Sequence, residues 1–167
     1  EWLQSEGIMV MSRTAREAIA RVAADNQFSP VQKYLNGLAW DGTPRLDKWI
    51  SRYCGAEDAP FTRLAGRKWM ISAVARAMDP GCQADYMLIL EGPQGIGKSK
   101  AAAILGGSWF TDDVRNIENK DASAVVARYW IIEFSEMKAL RRSNSDTIKA
   151  FLTRRVEKYR PPYGHEI

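Results

Sequence analysis

The sequence has few of the residues from which zinc sites and disulfide scaffolds are built. Its 167 residues include two cysteines and one histidine. Cys54 and Cys82 lie far apart without C-x-x-C spacing, and His165 stands alone near the end of the chain. This pattern supports neither a zinc centre nor a disulfide framework. We expect the cysteines to be buried free thiols and the histidine to be exposed rather than a ligand.

Long apolar runs are also missing. No stretch approaches the roughly 18 consecutive apolar residues that a membrane-spanning helix needs. Residues 1–13 lack the basic-then-apolar order of a signal peptide. With 46% hydrophobic and 26% charged residues, the chain has the balance of a globular domain with a full core. We therefore expect a cytoplasmic protein with no membrane partner.

The net charge of +4 is unevenly distributed. Residues 85–140 carry six basic and eight acidic side chains, whereas residues 141–167 carry seven basic and three acidic ones. A mildly acidic segment next to a basic one suits a cation-requiring site beside a surface for a polyanion. Solvated charged faces explain the same counts equally well, so the charge alone does not decide between them.

The first half of the chain is predicted to be helical. Ser12 is placed to cap a first helix, and Ser29-Pro30 begins a second that Asn36-Gly37 ends with a left-handed residue. A third helix follows the turn at 41–44, and a long fourth helix runs from Pro60 to Pro80-Gly81. The third helix is expected to bury Leu46, Trp49, Ile50 and Tyr53. Apolar positions nearly two-thirds of the way round the fourth helix predict packing on several sides.

The second half alternates between strand and helix patterns. Short apolar runs at 85–90 and 129–134 are typical of strands buried in a parallel sheet. Helical stretches at 101–105 and 122–126 lie between them. This order predicts a parallel α/β sheet. We expect a helical subdomain over 1–84, followed by the α/β core over 85–167.

The strongest motif lies directly after the first predicted strand and opens a predicted helix. It fits the phosphate-binding pattern G-x-x-x-x-G-K-S/T. Its glycines let the backbone amides turn towards a phosphate chain, Lys98 would reach the β- and γ-phosphates, and Ser99 would present its hydroxyl to Mg²⁺. The candidate nucleotide-binding residues are Gly92, Pro93, Gln94, Gly95, Ile96, Gly97, Lys98 and Ser99.

A phosphate loop of this kind works with an acidic partner on a neighbouring strand. Glu133 ends the second apolar run and Glu136 follows three residues later. One acid is expected to support Mg²⁺ and the other to polarise the attacking water. The sequence does not assign the two roles, although Glu136 is slightly preferred as the base.

Two cations farther along the chain are weaker candidates. Arg160 and Lys149 would each suit a place near the phosphates, and each equally suits a solvated surface or a structural ion pair. Core packing is a better explanation of the tryptophans than base stacking. The tryptophans concerned are Trp40, Trp49 and Trp69.

Taken together, several segments resemble the virulence-associated protein E family, the ATPase portion of primase-helicase proteins of phages, plasmids and chromosomal islands. The W-D-G-x-P-R-L and Y-R-x-P-Y-G segments are more particular to this family than the phosphate loop is. The resemblance covers roughly residues 28–164. Its segments are 30–31, 34–35, 38–46, 80–82, 85–87, 90–99, 130–133 with Glu136, 149–152 and 159–164.

The resemblance implies a P-loop NTPase core similar to the superfamily 3 helicases, which bind ATP and Mg²⁺ and act as oligomeric rings on DNA, here expected to be single-stranded. It implies phosphate and magnesium roles for Lys98 and Ser99, an acidic motif of Glu133 and Glu136, and a position near the nucleotide for Arg160. Glu157 stands where the family usually has Asp. The chain stops before the strands that carry a sensor residue and an arginine finger, so we expect a C-terminally truncated core with slow turnover or none.

Two other functions remain open at this point. The same loop would serve a nucleotide or small-molecule kinase, although no lid-like arginine cluster follows it. The helical half would alternatively make the chain a docking scaffold that binds nucleotide without hydrolysing it. A kinase would yield a phosphorylated acceptor and a scaffold would bind nucleotide without turnover, whereas a helicase ATPase would release free phosphate.

Overall fold

In a computed structural model, the described residues are 5–7, 9–114, 122, 125–134 and 145–153. The chain forms two compact units, Glu1–Gly37 and Leu38–Ile167. Residues 38–84 therefore share a unit with the phosphate loop, and the predicted domain boundary at 84/85 stays a prediction. No helix in the described part of the chain is long and apolar enough to cross a bilayer.

The first unit contains helices α1, Ser12–Asp25, and α2, Pro30–Asn36. Ser12 does not cap α1 as predicted, because the extended residue Met11 precedes the helix and its carbonyl accepts the first helical bond, from Ala15 N at 3.1 Å. The predicted cap of α2 is confirmed, since the Ser29 hydroxyl accepts from Gln32 N at 3.2 Å.

The predicted left-handed stop after α2 is wrong. Gly37 has φ −84°, and its amide donates to the carbonyls of Lys33 and Tyr34 at 3.2 and 3.0 Å. These bonds close the helix with a tightened right-handed turn, so no residue of positive φ is needed.

The second unit begins with a turn that organises itself. The Asp41 carboxylate accepts from Thr43 N at 3.0 Å and binds both terminal nitrogens of Arg45 at 2.8 and 2.7 Å. The Arg45 guanidinium holds the pKa of Asp41 well below its usual range. The Trp40 indole donates to Thr43 O at 3.3 Å, yet its ring is 78% exposed, so the prediction that Trp40 packs in a core is wrong. A local ion pair and turn, rather than burial, hold this segment.

Helices α3, Trp49–Cys54, and α4, Pro60–Met78, pack closely. A Cβ atom at Gly66 of α4 would lie 2.8 Å from both Trp49 Nε1 and Ile50 Cδ1. Trp49 and Ile50 are buried as predicted, but Leu46 and Tyr53 are exposed. The prediction that α4 packs on several sides is also wrong, since its only buried residue is Gly66. In the described part of the chain α4 is covered chiefly where α3 meets it.

Helix α5, Lys98–Gly106, begins at the phosphate loop and lies on a two-stranded parallel sheet. Strand β1, Phe110–Thr111, pairs with β2, Ile131–Ile132, in the register Phe110 to Ile131 and Thr111 to Ile132. A Cβ atom at Gly106 would lie 2.8 Å from Phe110 Cβ and 3.0 Å from Ile131 Cβ. The absence of a side chain at Gly106 therefore lets α5 approach the sheet.

The second predicted strand is confirmed only at Ile131–Ile132, and the predicted helix at 101–105 is confirmed within α5. The strand predicted for 85–90 is wrong here, because none of these residues is paired. A strand needs a neighbour for its backbone hydrogen bonds. β2 pairs with β1 instead, and residues 87–90 line an open cavity with it. The α/β P-loop class remains a prediction.

The remaining described core lies around Val114 and Ala122. Helix α6, Ser145–Leu152, packs against it through Ile148 and Phe151. The rings of Phe134 and Phe151 meet edge to face at 6.0 Å. The Trp130 indole donates to Ala73 O at 2.8 Å and so joins α4 to the residue before β2. These contacts fix the end of β2 relative to the helices.

Candidate functional site

The loop at 92–99 is shaped by residues that adopt conformations available to glycine. Gly95 and Gly97 have φ +84° and +92°, where an L side chain would be strained. Gly97 is the residue before α5, and its carbonyl accepts the first helical bond from Ala101 N at 2.9 Å. The loop therefore turns sharply into the start of a nine-residue helix, where the first amides lack intrahelical acceptors. Those amides and the helix dipole favour an anion at this place.

Lys98 closes over the loop that precedes it. Its ammonium group donates to Gly92 O at 2.9 Å and to Pro93 O at 2.7 Å. Both acceptors are neutral carbonyl groups, and these bonds hold the positive charge across the mouth of the loop. Phosphate oxygens are stronger acceptors for an ammonium group than neutral carbonyls. The structure thus holds the Lys98 ammonium group at the loop, and its contact with phosphates stays a prediction.

Ser99 and Glu133 are brought together from 34 positions apart. The Ser99 hydroxyl donates to Glu133 Oε1 at 2.6 Å. Glu133 follows β2 directly, and its backbone amide donates to Thr111 O at 2.9 Å, which extends the β1–β2 ladder by one bond. The two residues predicted to hold Mg²⁺ are therefore in direct contact at the end of the sheet.

The second carboxylate oxygen gives a test of whether this pair fits a metal ion. Glu133 Oε2 is buried, and no described residue gives it a hydrogen-bond partner. A buried carboxylate oxygen without a partner costs free energy, which a cation beside it would recover. A hydroxyl and a carboxylate are the hard oxygen ligands that Mg²⁺ prefers, with water and phosphate filling its other positions. Among the described residues no group of three or more His, Cys, Asp or Glu is arranged to hold a metal, so the pair fits a shared phosphate–metal site rather than an all-protein cage.

An open cavity of about 800 Å³ joins these elements. Glycines of the loop, both Lys98 and Ser99, and the residues after β2 line it, together with two tryptophans. Trp49 and Trp69 lie with ring centroids 5.7 Å apart. The sequence does not identify these two rings as cavity residues, because their helical spacing is that of core residues. Their place in the cavity lining is seen only in the folded arrangement of α3 and α4. The lining includes Trp49, Trp69, residues 87–90, Gly92, Gln94, Gly95, residues 97–102, Leu105 and residues 131–134.

The remaining predicted site residues are Glu136, Arg160 and Lys149. Glu136 and Arg160 lie outside the described residues, so their roles stay predictions. Lys149 lies on α6, where it is exposed and does not line the cavity. His165 also lies outside the described residues. Both cysteines are free and half-buried, and burial raises the pKa of the Cys54 thiol.

Comparison with known proteins gives one result on the family. The family model described as Virulence-associated protein E-like domain matches residues 35–167. No curated protein matches the chain at a significant level of similarity. The match spans the phosphate loop, both strands and Glu133, which are the parts of the chain that form the site.

Proposed function

Because the chain belongs to the virulence-associated protein E-like domain family, we propose that it is the Mg²⁺-dependent ATP-binding and ATP-hydrolysing module of a DNA helicase or primase-helicase of a phage, plasmid or other mobile element. The observation that carries the proposal is the contact between Ser99, at the start of the helix that follows the phosphate loop, and Glu133, at the end of a parallel strand. A kinase or a scaffold would share the loop, but the family association favours the helicase.

Lys98 binds the phosphates in this proposal. Its ammonium group leaves the carbonyls of Gly92 and Pro93, 2.9 and 2.7 Å away, and donates to the β- and γ-phosphate oxygens. The exchange replaces two neutral acceptors with negatively charged ones, so each hydrogen bond from the ammonium group becomes an ion pair as well. Little movement is needed, because the side chain already lies over the loop. ATP is the proposed nucleotide.

Ser99 and Glu133 orient the metal. These two residues would hold Mg²⁺, which would supply positive charge to offset the negative charge that develops on the phosphates during transfer. The Ser99 hydroxyl turns its oxygen from Glu133 towards the cation, and the Glu133 carboxylate holds the cation or its water. The unpartnered Oε2 atom supports this assignment of Glu133. The role of water-polarising base then falls to Glu136.

Hydrolysis is tested by identifying the product. Inorganic phosphate released from Mg²⁺-ATP supports the ATPase, whereas a phosphorylated acceptor without free phosphate would favour the kinase. Glu133→Gln removes the charge and keeps the shape, so we expect it to lower turnover by about 10²-fold or more. Glu57→Gln is the matched control, because Glu57 is an exposed acid outside the cavity. Binding without turnover in the protein that carries this domain would favour the scaffold.

The family association and the basic segment 141–167 support a DNA partner and a ring. We propose single-stranded DNA as the nucleic acid, a homo-oligomeric ring as the active assembly, and Arg160 as a cation near the nucleotide. The test measures ATP turnover and oligomeric state of the protein that carries this domain, with and without single-stranded DNA. If DNA changes neither quantity, the helicase proposal fails.

A further inference from the structure

β1, the strand paired with the one that leads into Glu133, is itself followed by an acidic residue that the motif at 92–99 does not include. β1 is followed directly by Asp112, and β2 is followed directly by Glu133. We propose that Asp112 is a second acidic residue of the magnesium site, which holds the water shell of the cation beside Glu133. This inference rests on the proposed nucleotide-binding function and adds a positioning residue to it.

The register of the sheet brings the two acids side by side. Phe110 is opposite Ile131 and Thr111 is opposite Ile132, so the next pair along the same register is Asp112 and Glu133. The bond from Glu133 N to Thr111 O, 2.9 Å long, continues the ladder to this point. Asp112 is the next residue after Thr111, so it directly follows the carbonyl group that accepts this bond. Neighbouring strands lie about 4.8 Å apart. The backbones of Asp112 and Glu133 are therefore expected at the same end of the sheet and about this distance apart.

The faces of β1 also separate Asp112 from the acid that follows it. Side chains along a strand alternate between the two faces. Phe110 and Ile131 both lie against Gly106 of α5. Continued by two residues along each chain, the alternation assigns Asp112 and Glu133 to this same face, where Glu133 accepts a hydrogen bond from Ser99. Thr111 and Asp113 instead line a separate small cavity with Val125, Arg128 and Tyr129. Of the two adjacent aspartates, the alternation therefore assigns Asp112 to the side of the loop at 92–99, although Asp112 is not itself among the residues that line the large cavity.

The electrostatic surroundings leave the Asp112 charge available. Asp112 is exposed, and within the described residues no ion pair or side-chain hydrogen bond engages it. Mg²⁺ keeps several of its waters and is bound through one or two carboxylates together with substrate phosphates. The buried, unpartnered Glu133 Oε2 marks the place where a cation is favoured. A second carboxylate beside it accepts hydrogen bonds from the waters of that cation.

The experiment compares Asp112→Asn with Asp113→Asn, which removes the same charge one residue away on the opposite face. Calorimetry measures ATP affinity at a series of Mg²⁺ concentrations and again in EDTA, and electron paramagnetic resonance counts the Mn²⁺ bound with ATP. Residues that hold a metal through its outer shell are worth about 10- to 100-fold in metal affinity. We expect Asp112→Asn to raise the Mg²⁺ concentration at half-saturation about tenfold without changing ATP affinity in EDTA. Asp113→Asn should leave both unchanged.

Equal shifts in the two variants, or no shift in either, would overturn the role of Asp112. So would an equal loss of ATP affinity with and without Mg²⁺, because that result would mean a metal-independent effect on the loop. Lys98→Ala separates this failure from that of the proposed function. If Lys98→Ala abolishes ATP binding while Asp112→Asn changes nothing, only the Asp112 inference falls. If Lys98→Ala binds ATP normally, or the unmodified chain binds none, the proposed function falls and takes the inference with it.

Discussion

The hydrogen bond between Ser99 and Glu133 joins the loop at 92–99 to the end of β2, and removing it should destabilise the unliganded protein. In Ser99→Ala the Glu133 carboxylate loses the hydrogen bond of 2.6 Å from the Ser99 hydroxyl, and its other oxygen, Oε2, is already buried with no partner among the described residues. The substitution removes one small group from an exposed position, so the expected loss comes from the hydrogen bond rather than from packing.

The size of the loss follows from the charge on the acceptor. A hydrogen bond to a charged group contributes about 1.5–3 kcal/mol, and we take the lower end, about 1.5 kcal/mol, because Ser99 is exposed. The unfolding entropy of the unit Leu38–Ile167, at about 2.1 cal/mol/K per residue, converts this loss into a fall in Tm of about 5 °C. Glu133→Gln keeps an oxygen acceptor and should retain the neutral part of the bond.

A double-mutant cycle isolates the interaction. Ser99→Ala, Glu133→Ala and the double variant are compared by urea unfolding, which reports free energies of unfolding without nucleotide. We expect a coupling energy of about 1.5 kcal/mol, and about half of that when Glu133→Gln replaces Glu133→Ala. Additive effects, with a coupling energy below about 0.3 kcal/mol, would refute the argument that this bond joins the loop to the sheet.

Two further predictions concern the helical part of the second unit. Gly66→Ala places a Cβ atom 2.8 Å from Trp49 Nε1, so thermal unfolding should show a loss of about 1–3 kcal/mol, and an unchanged Tm would mean that α3 and α4 do not approach this closely. The pKa of Asp41 is lowered by Arg45, so its contribution to stability is present above the unfolded pKa of about 3.9 and is lost as pH falls through the lower folded value. Nuclear magnetic resonance should therefore find the Asp41 carboxyl ionised at about pH 3, whereas titration near pH 3.9 would contradict the ion pair.

Local motifs with a short-range physical cause were predictable from the sequence. The helix that begins at Lys98 and the Ser29 cap each depend on a few adjacent residues, and each forms as expected. The meeting of Ser99 with Glu133 was also anticipated in kind, since an acid after a second apolar strand is what a phosphate loop requires.

Features that depend on distant partners were not predictable in the same way. The apolar run at 85–90 has the composition of a strand, but strand pairing depends on which segment lies beside it, and β2 pairs with the two-residue β1 instead. β1 itself is too short to produce a recognisable alternation. For that reason the sequence does not identify Asp112 as a candidate, and only the pairing of β1 with β2 brings it into consideration.

Burial of individual aromatic residues was hard to predict for a related reason. Trp40 and Trp49 both look like core residues in the sequence, but only Trp49 has a helix against it. Trp40 is held instead by a hydrogen bond to Thr43 O in a turn that the Asp41–Arg45 ion pair stabilises. Helical periodicity tells which residues share a face, whereas the partner of that face is decided elsewhere in the chain.

The central claim is that the loop at 92–99 binds the phosphates of Mg²⁺-ATP through Lys98. Calorimetry of Mg²⁺-ATP binding to the unmodified chain, Lys98→Ala and Lys68→Ala tests it most directly; Lys68 is an exposed lysine of α4 outside the cavity. Two charge-assisted bonds worth about 1.5 kcal/mol each correspond to a loss of about 100-fold or more in Lys98→Ala. The account predicts that loss together with unchanged binding in Lys68→Ala. Binding of equal affinity in Lys98→Ala and the unmodified chain would contradict it.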